Sequence, residues 1–166
     1  MLHYDFIMIT FVKKQLTMLD SLKRIAIGSD HAGYKLKEHL KKYLESQQYT
    51  ITDFGTYSEE SVDYPDPIHP LADAINRGEF KNGIIICGSG NGVAMVANKY
   101  RMVRAAVCWN NEIVKLARQH NDANIIALPA RFISLEQGSE FLQIFLSTDF
   151  EGGRHLRRVE KISQIL

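Results

Sequence analysis

Residues 83–95, GIIICGSGNGVAM, set Cys87 between an apolar run and three glycines. Ile84, Ile85 and Ile86 do not alternate with polar residues, the pattern of a strand buried on both faces. Gly88, Gly90 and Gly92 let backbone N–H groups approach an anion closely, and the helical pattern after them adds a positive N-terminal end. A thiol in that setting ionises more readily than a free one and offers a base or a nucleophile. Cysteine is also among the most buried residue types, so Cys87 taken alone reads first as packing before a tight turn. No Lys-Ser or Lys-Thr follows the last glycine, which excludes a Walker loop. The Gly88-x-Gly90-x-Gly92 spacing does not fit GxGxxG either. What remains is a loop for a small anion or an oxyanion, or a plain turn.

Four further groups could do chemistry. GSDHAG places Asp30 and His31 after an apolar run. Asp30 suits a turn or a helix cap, and His31 offers an imidazole to an anion or a sugar hydroxyl. His120, with Asn121 and Asp122, closes a helical stretch, where the helix dipole favours a protonated imidazole as well as any catalytic use of it. Arg154 and Arg158 are four apart, share a helical face and could clamp one phosphate; a solvated basic face is the alternative. Cys108 also ends a strand but has no glycine loop and reads as packing. Together these suit proton transfer beside a carbonyl on a small phosphorylated molecule.

The elements that must hold these residues alternate. Apolar runs at 24–30, 49–55, 83–87, 104–109 and 124–130 read as strands. Helical patterns follow at 33–47, with lysines on its outer face, and at 71–80, 92–100, 111–120, 134–148 and 153–166. Three close prolines in 56–70 read as a loop, and Ser134 as an N-cap. The pattern predicts an α/β fold: a doubly wound sandwich on a five-stranded parallel sheet covered by helices on both faces. In such folds ligands sit beyond the C-terminal strand ends, where the loops GSDHAG, CGSGNG, CWNNE and PARF all fall.

At 166 residues and a net charge of +1, the chain fits one domain and gives no electrostatic case for nucleic acid or a membrane surface. Its two cysteines lack disulfide or metal spacing, so a cytoplasmic setting is expected, with no metal. No stretch approaches the roughly 20 apolar residues of a membrane span. Residues 1–22 carry no motif and read as an extension before a domain at 23–166.

Five segments in order, GSDHAGYKLK, DYPD, CGSGNGVAMVANK, RQHNDAN and EGGRHLRRVE, resemble the type B ribose-5-phosphate isomerases, a family that includes allose- and galactose-6-phosphate isomerases. The resemblance implies a Rossmann-like three-layer α/β/α sandwich and an aldose–ketose isomerase working through a cis-enediolate without cofactor, as a homodimer with shared active sites, sometimes paired into tetramers. It implies that Cys87 moves the proton between C1 and C2, and that the amides of Gly88, Ser89, Gly90, Asn91 and Gly92, with the Ser89 hydroxyl, hold the enediolate oxygen. His120 is implied to open the furanose ring, with Asp30 and Tyr64 handling hydroxyl protons. His31, Arg154 and Arg158 are implied phosphate ligands, and Asn121 and Arg131 hold sugar hydroxyls or phosphate. One branch of the family uses a glutamate shortly after the glycine loop; Val93 stands there, which places this sequence in the cysteine branch. Ribose 5-phosphate is the expected substrate. Six-carbon 6-phosphates, or a non-catalytic phosphosugar-binding role, are the alternatives.

Overall fold

The computed structural model describes residues 23–164; the extension 1–22 and the last two residues of the expected final helix lie outside them. Five strands, β1 (Arg24–Ser29), β2 (Thr50–Asp53), β3 (Asn82–Cys87), β4 (Ala105–Val107) and β5 (Ile125–Pro129), form one parallel sheet in the order β2-β1-β3-β5-β4. Among the described residues six α-helices accompany it: α1 (Tyr34–Ser46), α2 (Pro65–Asn76), α3 (Asn91–Ala97), α4 (Asn111–Asn121), α5 (Leu135–Ser147) and α6 (Arg154–Ile162). No helix among the described residues is long and apolar enough to cross a membrane.

The strand pleat sorts the core into two layers. Ile84 and Ile86 of β3 pack with Leu36 and Leu40 of α1, Val114 of α4 and Phe141 of α5. Ile85 and Cys87 point the other way, into Leu71 and Ile75 of α2 and Val93 and Val96 of α3. Burying each such isoleucine or leucine contributes about 1.5–3 kcal/mol, which is why β3, covered on both faces, tolerates no polar residue along its centre.

Three expectations change. The prolines at 65, 67 and 70 do not mark a loop: α2 begins at Pro65. Pro65 and Pro67 occupy the first turn, where the N–H groups lack intrahelical partners anyway, and only Pro70 costs a bond. β4 is half its expected length, three residues rather than six, and at its start the Asn124 side chain accepts the Arg104 N–H. Lys37 is not on the outer face of α1; it is fully buried, with its ammonium against the Asp53 carboxylate. Ser134 does cap α5, in a reciprocal capping box with Gln137.

Candidate active site

The chain leaves β1 toward β2 on one side and returns to β3 on the other, so the strand order reverses between β1 and β3. A crevice opens beyond that point, as it does in folds of this kind. The Asp30 N–H bridges it by donating to the Ile86 carbonyl at 3.1 Å. The crevice is a cavity of about 340 Å³, lined among others by Asp30, His31, Tyr64, Cys87, Ser89 and Arg131.

Cys87 is the last residue of β3 and is 5 % exposed. The Gly90 N–H donates to its sulfur at 3.1 Å. Gly90 can aim that N–H because it adopts φ +76°, which L side chains rarely allow. That contact fixes the direction of the sulfur at the cavity wall. α3 spans only seven residues, and this direct donor rather than the helix dipole acts on the sulfur. The other cysteine is different: burial pushes the Cys108 thiol up to about 12, out of use as a base near neutrality.

The surrounding residues are held from several elements. Asp30 accepts from the Gly33 N–H at 3.0 Å, so it caps the short helical turn His31–Gly33 as well as facing the cavity. The Val62 N–H donates to His31 Nδ1 at 3.3 Å. With Nδ1 accepting, Nε2 is the ring nitrogen left to face a ligand. Tyr64 lies over Gly92 so closely that a Cβ there would sit 2.9 Å from its ring. Arg131 reaches back over Gly88, and its own N–H donates to the Gly88 carbonyl at 3.1 Å. Ser89 is exposed at the mouth of the cavity.

Not every candidate converges there. Asn91 turns toward a neighbouring groove with Met95 and Asn98. Val93 is fully buried and offers the cavity nothing. His120 and Asn121 end α4, which runs antiparallel to the strands and delivers them beside the start of β5. Ile125 there pairs with Gly83, while Cys87 lies at the other end, beside Pro129. Four residues of strand, about 13 Å, separate those two levels. Arg154 and Arg158 accompany His120: α6 packs on α4 and its Ser163 end reaches the Arg101 carbonyl beyond α3.

This second cluster contains residues of the RQHNDAN and EGGRHLRRVE segments to which the sequence reading gave no role. The His155 ring stacks on His120 at 4.2 Å with planes 5° apart. Desolvation, then the charges of His120, Arg154 and Arg158, hold the His155 pKa below the usual histidine value, against the opposing pull of Glu151. Arg104 and Arg118 both grip Asp122, which ends α4 in the left-handed region at φ 43°. Their spacing to Asp122, eighteen and four residues, gave no sequence signal apart from the acid itself. Inside the cavity, Ala32 and Phe132 are added to the lining.

Residues 25–162 match the model of the Ribose/Galactose Isomerase family. Ribose-5-phosphate isomerase B of Escherichia coli (strain K12) is 40 % identical over 144 residues, covering 87 % of this chain and 97 % of that protein. The crystal structure of a ribose 5-phosphate isomerase from Thermotoga maritima superposes with a TM-score of 0.84 at 48 % identity, covering 86 % of this chain and 98 % of that one. The isomerase B from Mycoplasma genitalium, solved with bound ribulose-5-phosphate, gives 0.81 at 39 % identity over 84 % and 93 % of the two chains. The chain belongs to the Ribose/Galactose Isomerase family.

Proposed function

We propose that this chain interconverts ribose 5-phosphate and ribulose 5-phosphate, with Cys87 as the base. The observation that carries this reading is the Cys87 sulfur, held by the Gly90 N–H at the wall of a polar cavity at the strand-order reversal. The thiolate takes the C2 proton of the open-chain aldose, and the electron pair passes into a cis-enediolate. The loop N–H groups and the Ser89 hydroxyl stabilise the developing oxyanion. The thiol returns the proton to C1 while a hydroxyl proton moves from O2 to O1, and no redox partner is needed. Asp30 and Tyr64 sit where hydroxyl protons are exchanged, and His31 and Arg131 bring positive or donor groups for phosphate and hydroxyls. This reaction belongs to the non-oxidative pentose phosphate route, a cytoplasmic setting.

The test is turnover of ribose 5-phosphate beside allose 6-phosphate and galactose 6-phosphate. We expect the highest kcat/KM on ribose 5-phosphate; no turnover on any of the three leaves only a phosphosugar-binding role.

The ring-opening acid His120, with Asn121, Arg154 and Arg158, is supplied by a second copy in this reading. The support is geometric: those residues sit at the opposite sheet end from Cys87 of their own chain. Exposed Met95, Met102, Trp109, Leu156 and Ile162 give a dimer apolar surface to cover. In an isologous dimer each such site draws on both chains. Cys87→Ala co-expressed with His120→Ala should therefore recover about one quarter of wild-type activity from two nearly inactive chains, because half the dimers are mixed and each has one intact site. No recovery in isolated mixed dimers would place both residues in one chain's site.

A further inference from the structure

The end of α4 and the start of α6 bring three metal-ligating side chains together. One donor atom each from His120, Glu151 and His155 lies within 4.8 Å of the other two. Glu151 Oε2 is 3.8 Å from Nε2 of both histidines. A tetrahedral zinc ion with nitrogen and oxygen ligands at about 2.0–2.1 Å keeps them roughly 3.3 Å apart. Each carboxylate–imidazole edge then needs to shorten by about half an ångström. The backbone already holds the segments in register: the Glu151 N–H donates to the Gln119 carbonyl at 3.0 Å, and the His155 N–H to that of Gly152 at 3.0 Å.

The imidazole–imidazole edge, within 4.8 Å, must close as well, and two rearrangements allow it. Parallel stacked rings cannot aim both lone pairs at one point, so one must tilt. His155 is buried, whereas His120 is partly exposed at a helix end and is free to turn. Arg154 Nε rests 3.4 Å from His155 Nε2 and must leave; it is an exposed side chain and gives up one long hydrogen bond. Two imidazoles and a carboxylate suit zinc far better than magnesium or calcium, and leave a fourth position for water.

We propose that His120, Glu151 and His155 form an inhibitory zinc site, in which the ion occupies the imidazole nitrogen that must carry the ring-opening proton. The inhibition rests on the isomerase reading above; the binding does not.

Zinc is titrated into the full chain against a chelating dye, cobalt is titrated with visible absorption, and turnover is measured on the same samples. We expect one ion per chain, cobalt d–d bands without a thiolate charge-transfer band, and turnover lost in step with occupancy and restored by chelator. Glu151→Gln and His155→Gln should each weaken binding at least tenfold, and Glu151→Gln should keep its metal-free turnover while escaping inhibition. Absence of binding, binding unchanged in both variants, or a thiolate band placing the ion on Cys87 overturns the site. Zinc bound with the expected ligand dependence by a chain that turns over none of the sugar phosphates upholds the site and removes the isomerase reading.

Discussion

Cys87→Ala lowers kcat for ribose 5-phosphate by roughly two to four orders of magnitude, the range a positioned general base supplies. The expected loss falls on kcat more than on KM, because the glycine loop, His31 and Arg131 that line the rest of the cavity are untouched. The fold should survive, since the change removes one sulfur from a site already open to a cavity. Cys87→Ser separates base strength from shape. It keeps an acceptor for the Gly90 N–H, yet a hydroxyl ionises far less readily than a thiol, so it should be nearly as inactive. Alkylation gives a second readout. Cys108 is fully buried and its thiol is pushed up to about 12, so iodoacetamide should modify a single cysteine, and its pH dependence reports Cys87 alone. Nearly full turnover by Cys87→Ala sinks the proposed base while leaving the isomerase reading intact.

The alternating architecture was legible because each central strand must be apolar on both faces, and IIIC and IIALP announce that directly. So was the sheet end where the cavity opens, since GSDHAG, CGSGNG and PARF each follow a strand and line it. The start of α2 was hidden because proline signals a turn and a helix N-terminus equally well; only the shared first-turn position of Pro65 and Pro67 distinguishes them. The separation of His120 from Cys87 could not be read from the residues. Both follow or precede loops of similar composition, and it takes the antiparallel course of α4 to put them at opposite ends of the sheet. The stacking of His155 on His120 was equally silent, because residues 35 apart meet only once α6 folds back on α4. Lys37 misled for a simpler reason. A lysine among lysines on an amphipathic helix is normally solvated, and its partner lies sixteen residues away on another element.

That partner supports the last expected result: Asp53→Ala destabilises the chain by about 3 kcal/mol, and Asp53→Ala with Lys37→Met recovers most of the loss. Lys37 is fully buried, and Asp53 Oδ2 meets both it and Lys41, the latter at 2.8 Å. Removing one partner of a buried pair leaves a charge in low dielectric, which costs about 3–5 kcal/mol; removing both can be neutral. The low end applies here, because Glu38 stays 3.3 Å from the Lys37 ammonium. Burial works to raise the Asp53 pKa, but its hydrogen bonds from Lys37, Lys41 and the Gly55 N–H outweigh it and hold the carboxyl below its ordinary 3.8. A depressed carboxyl contributes stability above the unfolded value and loses it as pH falls through the folded one. The wild-type advantage over Asp53→Ala in urea midpoint should therefore be constant from neutrality down to about pH 5 and shrink below about pH 4. The site should register the change too. Asp53 Oδ1 accepts the Gly55 N–H, the Gly55 carbonyl accepts the Ser29 N–H, and the segment that follows carries Val62 against His31 and Tyr64 over Gly92. Asp53→Ala should thus raise KM for the sugar phosphate even where the chain remains folded. A urea midpoint unchanged by Asp53→Ala, or a double variant no better than the single one, means that Lys37 is neutralised by Glu38 alone and that the staple is not ionic.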